Sequence, residues 1–162
     1  MTYLKRNIKK RLHPELLVSE THRVISVTKD SVPPNSDPKK TLKDNKKAYI
    51  ARYALGRDYH KKMRKQLAKL AQKISLSIPY QKYRVFADSA PVLEKPLGAK
   101  ANLGWIGKNT LLLNKGQGSW FFLGEIFTNA PLKVNQSIAE NDCGKCSACI
   151  SVCPTNAIIS PG

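Results

Sequence analysis

Acidic residues are scarce in this chain. Its 162 residues include 11 Asp and Glu against 28 Lys and Arg, which leaves a formal net charge of +17. An excess of one sign opposes compaction through self-repulsion and attracts polyanions. Thirteen of the basic residues fall between Lys39 and Lys73, where Asp44 and Asp58 supply the negative charge. The imbalance favours a nucleic acid as partner, with a solvated helix face as the alternative interpretation.

Long apolar runs are missing as well. No stretch approaches the roughly 20 apolar residues of a transmembrane helix, so we expect no membrane span. The basic stretch 1–11 is not followed by the apolar segment of a secretory signal. We therefore expect a cytoplasmic protein whose length suits one domain with a small satellite.

Cysteine is absent until residue 143 and then occurs four times in the run Cys143-Gly-Lys-Cys146-Ser-Ala-Cys149-Ile-Ser-Val-Cys153-Pro154. This C-x₂-C-x₂-C-x₃-C-P spacing is that of bacterial ferredoxins. Zinc is disfavoured, because its sites use two separated cysteine pairs or cysteine with histidine, and neither occurs here. We predict that Cys143, Cys146 and Cys149 hold a 4Fe–4S cluster.

The fourth cysteine of such a run ligates the other cluster in two-cluster ferredoxins. The sequence contains no further cysteine. Cys153 therefore either completes a lone cluster or belongs to a second cluster whose other ligands lie outside this sequence. We expect the second arrangement, in which the chain is a truncated form.

The hydrophobic pattern predicts both helices and strands, in an α+β arrangement rather than a strict doubly wound sheet. Apolar residues at helical spacing predict an amphipathic helix over 59–74, with a basic outer face, and a short helix is expected to start near His13. Strands are predicted at 23–28, 83–87, 110–114 and 119–128, with a glycine-rich hairpin connection at 114–118. The polar, proline-containing stretch 29–45 is expected to be an exposed loop.

Five ordered segments carry a resemblance to a known family. They read Arg-Leu-His-Pro-Glu-Leu-Leu (11–17), Arg-Tyr-Ala-Leu-Gly-Arg-Asp-Tyr-His (52–60), Asp-Ser-Ala-Pro-Val-Leu-Glu-Lys-Pro (88–96), Lys-Ala-Asn-Leu-Gly-Trp-Ile-Gly-Lys-Asn-Thr (100–110) and Gly-Ser-Trp-Phe-Phe-Leu-Gly-Glu (118–125). With the cysteine run that follows, they resemble the epoxyqueuosine reductase family over essentially the whole chain.

The resemblance implies an enzyme that uses cobalamin and 4Fe–4S clusters to reduce epoxyqueuosine to queuosine in tRNA, the last step of queuosine biosynthesis. It implies a mixed α/β cobalamin-binding catalytic domain over 1–135, incomplete at its N-terminus, and the first half of a ferredoxin-type module over 136–162. A flavodoxin or ferredoxin would supply electrons, and the protein would be a monomer. Members of the family are longer, with a second cysteine set and a helical-repeat region, so a fragment is expected.

By the same resemblance, Asp88 is the proton donor. A carboxyl group buried at a strand end would hold its proton more tightly and serve as a general acid; the alternative is an Asx-turn residue. The predicted cobalamin contacts are Arg11, Arg52, Asp88, Ser89, Gly104 and Lys108. Gly104 would let the backbone approach a large flat ring. The alternative for this group is a turn with solvated cations.

The segment Asp58-Tyr-His60 resembles the start of the D-x-H-x-x-G motif that supplies a cobalt ligand in other cobalamin proteins. Met63 stands at the glycine position, so a structural role is predicted for His60. Two other functions remain open. Reductive dehalogenases pair a cobalamin domain with a ferredoxin module, although they do not need this charge. The second alternative function is that of a non-enzymatic electron carrier or RNA-binding module with one cluster.

Overall fold

The computed structural model of the chain describes residues 5–31, 37–79, 81–134 and 136–159. Its strands are β1 (Arg23–Asp30), β2 (Tyr83–Phe86), β3 (Trp105–Ile106), β4 (Leu112–Leu113) and β5 (Phe121–Thr128). Its helices are α1 (Ile8–Leu12), α2 (Pro38–Lys43), α3 (Tyr59–Ser77), α4 (Glu94–Lys100) and α5 (Ala148–Ser151). Single turns of 3-10 helix cover Pro14–Leu16 and Arg52–Ala54.

Three strands form an antiparallel sheet in the order β1–β5–β2. In the register of this sheet, Val24 of β1 pairs with Phe127 of β5, and Val85 of β2 pairs with Ile126. Successive side chains of a strand point to opposite faces, so Ile126 and Phe127 enter two different cores. An antiparallel sheet with helices on its faces agrees with the predicted α+β class.

Helix α3 covers one face of the sheet. Its buried residues Met63, Leu67 and Ala71 lie on one side of the helix and pack with Ile126. Their spacing is the amphipathic pattern on which the prediction for 59–74 was based, and that prediction is confirmed. The helix begins at the predicted residue because the side chain of Asp58 caps it, accepting a hydrogen bond from the His60 backbone N–H at 2.9 Å.

Helix α4 lies on the opposite face. There Phe86, Val92 and Phe127 form a second core, against which Leu97 of the helix packs. Phe86 and Phe127 meet edge to face, with ring centroids 4.8 Å apart. The end of β2 thus lies between the beginnings of α3 and α4, which brings side chains from three elements to one place.

Two predictions about connections are correct only in part. The stretch 29–45 contains the last two residues of β1 and all of α2, which Asp37 caps by accepting a hydrogen bond from Lys40 N–H. Residues 32–36 of this stretch lie outside the described residues. The strands near 112 and 121 are joined by the isolated bridge Asn114↔Gly118 but enter different sheets, because β4 pairs with β3.

No helix within 5–31, 37–79, 81–134 or 136–159 is long and apolar enough to cross a membrane.

Candidate active site

Asp88 follows β2 in a left-handed backbone conformation, with φ of 58°. Its Oδ2 lies 2.8 Å from Nε2 of His60 and accepts a hydrogen bond of 3.3 Å from the hydroxyl of Tyr59. Tyr59 and His60 are the first two residues of α3. The end of a strand and the start of a helix therefore hold one carboxylate between two donors.

His60 is placed between two carboxylates. While Nε2 faces Asp88, Nδ1 lies 2.8 Å from Oδ1 of Asp58. Two hydrogen bonds raise the pKa of His60 above its ordinary value. The one to Asp88 has the larger effect, and the one to Asp58 the smaller. In the protonated form both ring nitrogens donate, so this geometry favours an imidazolium that is linked to Asp88.

The sequence predicted a structural role for His60 on the basic helix. That role stays a prediction, and the structure adds a contact between the ring and the predicted acid, Asp88. The aspartate at the helix cap, followed two residues later by histidine, is the signal that was available. Asp88 was expected to be buried, but 61% of its side chain is exposed. Its polar neighbours, rather than burial, therefore determine the environment of this carboxyl group.

Tyr59 is held by stacking. Its ring lies 3.9 Å from the ring of Phe122, at an interplanar angle of 10°, and 3.9 Å from the imidazole of His60. Burial, followed by the negative charge of Asp88, raises the pKa of Tyr59 to about 12. The phenol therefore stays protonated at physiological pH and remains a hydrogen-bond donor to Asp88.

Two glutamates complete the surroundings of Asp88. Glu94, the first residue of α4, accepts the Asp88 backbone N–H through Oε1 at 2.6 Å. Behind it, Glu125 of β5 is fully buried. Burial and the neighbouring Glu94 raise the pKa of Glu125 well above the usual range, and burial also raises the pKa of Glu94. Neither glutamate was predicted, although a glutamate within the apolar strand sequence Phe121–Thr128 is unusual.

A cleft of about 780 Å³ opens beside Tyr59. Aromatic side chains of Tyr53, Tyr59 and Phe122 line it, and so do basic residues of the chain. These basic residues are Lys29, Arg57, Lys61, Lys62 and Lys65. The cleft therefore combines flat apolar surface with positive charge, a pairing suited to a large anionic ligand that carries rings.

Three of the predicted cofactor residues lie together. Arg11, Asp88 and Ser89 line a second cavity of about 370 Å³. Arg52 lies elsewhere, with its guanidinium 4.8 Å from the centroid of the Trp120 ring. The Nε atoms of Arg11 and Arg52 are buried, and neither has a hydrogen-bond partner in the described part of the chain. Buried donors of this kind fit a ligand with acceptor oxygens, such as the amide and phosphate groups of cobalamin.

The other two predicted cobalamin residues have protein partners. A Cβ atom at Gly104 would lie 1.9 Å from the carbonyl oxygen of Leu113, so the β3–β4 pairing itself needs this glycine. Lys108 donates hydrogen bonds of 2.8 Å to the carbonyl oxygens of both Gly144 and Cys146. The cobalamin assignments of Gly104 and Lys108 stay predictions, whereas their observed contacts serve the hairpin and the cysteine segment.

The cysteine segment is exposed to half-exposed and carries no disulfide. The indole N–H of Trp105 donates to Sγ of Cys143 at 3.4 Å. This hydrogen bond, and then one from the Lys108 backbone, lowers the pKa of the Cys143 thiol. Hydrogen bonds lower the pKa of the Cys153 thiol to about 7. The backbone N–H of Ile158 has the largest effect, followed by the hydroxyl of Thr155. Both effects favour thiolate, the form that binds metal.

Among residues 5–31, 37–79, 81–134 and 136–159, no three Cys, His, Asp or Glu side chains are gathered as metal ligands. Cysteine sites are commonly assembled by the metal itself, because closely spaced thiolates repel one another until it binds. The donor set of Cys143, Cys146 and Cys149, with an indole N–H directed at one sulfur, fits an iron–sulfur cluster.

Comparison with family models divides the chain into two matched segments. Residues 11–89 match the family described as epoxyqueuosine reductase QueG, DUF1730. Residues 137–159 match the 4Fe-4S binding domain. The cysteine segment therefore belongs to a 4Fe–4S-binding domain, in agreement with the prediction from its spacing.

Curated relatives extend the similarity to the whole chain. The epoxyqueuosine reductase of Aliivibrio fischeri is 54% identical over 162 residues, which are all of this chain and 43% of the relative. The epoxyqueuosine reductase of Escherichia coli is 48% identical over 161 residues, 99% of this chain and 42% of the relative. The chain thus spans less than half the length of the curated relatives that it matches.

Solved structures agree with the fold. The epoxyqueuosine reductase of Streptococcus thermophilus superposes with a TM-score of 0.84 at 27% identity, covering 96% of this chain and 42% of that one. An epoxyqueuosine reductase solved with a tRNA-Tyr epoxyqueuosine-modified tRNA stem loop superposes with a TM-score of 0.80 at 25% identity. The superposition covers 97% of this chain and 41% of that one. The ordered motifs, the mixed fold and these similarities together show that the chain belongs to the epoxyqueuosine reductase family.

Proposed function

We propose that this chain carries the catalytic and first iron–sulfur part of an epoxyqueuosine reductase, which converts epoxyqueuosine in tRNA to queuosine. The observation that carries the proposal is the Asp88 carboxylate held by His60 and Tyr59 beside a cationic, aromatic cleft. The reaction replaces an epoxide by an alkene. Two C–O bonds break and one C=C bond forms, while two electrons and two protons are taken up and the oxygen leaves as water.

The proton pathway follows from the contacts of Asp88. In its protonated form, His60 passes a proton from Nε2 to Oδ2 of Asp88 across their 2.8 Å contact. Asp88, whose side chain is largely exposed toward the cavity that it lines with Arg11 and Ser89, then delivers a proton to the epoxide oxygen. Tyr59 holds the carboxyl group in position through its hydroxyl.

Cobalamin is the proposed cofactor, and when bound it supplies the strongly reducing metal centre that the epoxide requires. Arg11 and Arg52 are the proposed contacts for its acceptor groups, because each has a buried Nε without a partner in the described residues. Ser89 lines the cavity next to Arg11 and Asp88 and supplies a hydroxyl group there.

Electrons enter through the cysteine segment in this proposal. Cys143, Cys146 and Cys149 hold the first 4Fe–4S cluster, and Cys153 belongs to a second one. A flavodoxin or ferredoxin is the proposed donor. The proposed catalytic domain covers 1–135 and the proposed iron–sulfur module 136–162. The protein is proposed to act as a cytoplasmic monomer.

The proposed substrate is tRNA. The formal charge of +17 and the lysines of α3 at the cleft support it. A related epoxyqueuosine reductase has been solved with an epoxyqueuosine-modified tRNA stem loop. Phosphates of the stem loop would lie along the basic face, while the modified base reaches Asp88.

A single-turnover experiment tests the proposal. The chain is loaded with cobalamin anaerobically, reduced chemically so that no second cluster is needed, and mixed with an epoxyqueuosine-containing stem loop. Queuosine is then quantified by mass spectrometry of the nucleosides. We expect product from the unaltered chain and a loss of at least about 100-fold in rate for Asp88→Asn, which cannot donate the proton.

Two results would contradict this assignment. Equal rates for the unaltered chain and Asp88→Asn would remove Asp88 from the acid role. Absence of both cobalamin binding and product would favour the non-enzymatic interpretation, in which the chain is a basic iron–sulfur electron carrier or RNA-binding module. Visible spectroscopy of the cobalamin band measures binding separately, so a loss of rate is not confused with a loss of cofactor.

A further inference from the structure

Glu125 is a buried ionisable group that takes no part in the mechanism proposed above. Glu125 lies within the central strand β5 with none of its side chain exposed. Among the described residues, no donor reaches either of its carboxyl oxygens. Its cross-strand neighbours are Ser26 on β1 and Phe86 on β2. Burying a carboxyl group without a cation or a donor is costly, so its presence here requires an explanation.

Glu94 is the polar group that Glu125 faces. The two carboxyl groups are in side-chain contact, and two adjacent carboxylates cannot both ionise at low cost. One proton is therefore shared between them. A neutral carboxylic acid has an O–H that donates, and an ionised carboxylate accepts. Protonated Glu125 beside ionised Glu94 satisfies both groups.

Glu94 in turn holds the loop that carries Asp88. Its Oε1 accepts the backbone N–H of Asp88 at 2.6 Å. Asp88 has φ of 58°, a backbone conformation that residues other than glycine adopt only at a cost in free energy. A strained backbone persists where its surroundings fix it. The Asp88 backbone N–H donates to Glu94, and this hydrogen bond holds the backbone at Asp88, whereas Tyr59 and His60 hold its side chain.

We propose that Glu125 is a positioning residue for Asp88: its carboxylic acid donates to Glu94 and so keeps Oε1 of Glu94 on the Asp88 backbone N–H. This inference rests on the proposed function only in giving Asp88 the role of acid. The contact itself exists whether or not the reaction takes place, so the two can be tested separately.

The groups around the pair determine its response to pH. Glu125 faces Glu94 of α4, the hydroxyl of Ser26 on β1 and the apolar ring of Phe86 on β2. Glu94 also faces the carboxylate of Asp88 and the imidazole of His60, and it lines a cavity with Arg11. No cation contacts Glu125 in the described residues. Raising the pH ionises Glu125, which removes the donor and places two negative charges together.

The experiment follows the Asp88 backbone amide by NMR in the full chain, comparing Glu125→Gln with Glu125→Leu. Glutamine keeps a donor, whereas leucine fills a similar volume without one. We expect amide exchange at Asp88 to accelerate about twofold to tenfold in the leucine variant, the range that one net hydrogen bond gives. The glutamine variant should exchange at nearly the original rate.

A pH titration separates positioning from a purely structural effect. In the unaltered chain, the Asp88 amide signal should shift in an additional step at alkaline pH as Glu125 ionises. In Glu125→Gln that step should be absent, because the amide donates at every pH. If Glu125→Leu does not fold, Glu94→Gln is the alternative variant for the same test. Its amide can accept the Asp88 backbone N–H and donate to the Glu125 carboxylate at the same time.

Two outcomes would overturn the proposal. One is an Asp88 amide whose exchange does not change in Glu125→Leu when thermal melting shows the variant folded. The other is an alkaline step that persists in Glu125→Gln. Single-turnover rates of Asp88→Asn report on the acid role independently, so failure of the proposed reaction leaves the amide measurement interpretable.

Discussion

Nε2 of His60 lies 2.8 Å from Oδ2 of Asp88, although 28 residues separate them in the sequence. The contact joins the first turn of α3 to the end of β2. Because Nδ1 of the same ring faces Asp58, the imidazole is fixed at both ends. His60 therefore connects the cap of a helix to the proposed acid, and we expect its protonation to affect both folding and proton delivery.

Replacing His60 should impair proton delivery more than binding. In His60→Gln, an amide can still donate to Asp88, but it cannot pass on a proton. We expect the single-turnover rate to fall by about 100-fold, the contribution typical of one general acid or base. The visible spectrum on cobalamin titration should stay the same. An unchanged rate with normal cofactor binding would show that Asp88 obtains its proton from elsewhere.

The stability of the fold should depend on the charge of His60. Asp88 and Asp58 raise its pKa, so the folded chain binds this proton more tightly than the unfolded chain. The stabilisation is therefore complete below the ordinary histidine pKa of about 6.5 and is lost as the pH rises through the raised value. Urea unfolding across this window measures it, and NMR of the imidazole Cε1–H gives the pKa directly.

His60→Gln is the matched control for that measurement. It should lose the part of the pH dependence that His60 causes. An identical pH dependence in both chains would contradict the coupling between His60 and the two aspartates.

The sheet and the long helix could be predicted because their signals are local. Apolar residues at helical spacing, including Met63 and Leu67, indicated α3, and alternation in the sequence indicated β1. The predicted turn at 114–118 is present, but β4 and β5 enter different sheets, because a glycine-rich connection specifies a turn and not the partner of each strand. Pairing of β4 with β3 depends on the close approach of Gly104 to Leu113, which is a tertiary contact.

The candidate site was predicted only in part for a similar reason. Asp88 and the cysteines stand in recognisable motifs, so their positions could be identified. The roles of His60, Glu94 and Glu125 arise from the meeting of α3, β2, α4 and β5 at one point. Distances between such elements are not encoded in the spacing of residues along the chain.

Gly124 should be needed for packing of α3 on the sheet. A Cβ atom there would lie 2.8 Å from both the Leu67 and the Met63 side chains. In Gly124→Ala these side chains must shift within a packed core, which costs about 1–3 kcal/mol. Gly116→Ala is the control, because its Cβ would meet only Asn114 at an ordinary 3.6 Å. Urea unfolding of both variants tests this, and equal stability would contradict the proposed overpacking.

Lys108 should order the cysteine segment. Its ammonium group donates to the carbonyl oxygens of Gly144 and Cys146, and so connects the β3–β4 hairpin to the cluster loop. In Lys108→Met we expect less iron per chain after anaerobic reconstitution. Lys145→Met removes a neighbouring lysine for which no such contact is seen among the described residues and should leave the iron content unchanged. Iron loss in both variants would indicate a general effect of charge.

The basic side of the cleft should bind RNA through its phosphates. Lys61, Lys62 and Lys65 lie on the exposed face of α3 at the cleft. Replacing all three by glutamine should weaken binding of a tRNA stem loop and flatten its salt dependence. The log–log slope should fall by up to about 0.9 for each phosphate that a replaced lysine had neutralised. A filter-binding titration at several salt concentrations measures both quantities.

The control for this measurement has the same net charge. Lys100, Lys133 and Lys145 are also exposed and do not line the cleft. Replacing these three by glutamine lowers the total charge equally but leaves the cleft unchanged. If binding depends on where the lysines lie, the two triple variants will differ in salt slope. Equal slopes would mean that the overall charge of the chain, rather than the face of α3 beside Tyr59, attracts the RNA.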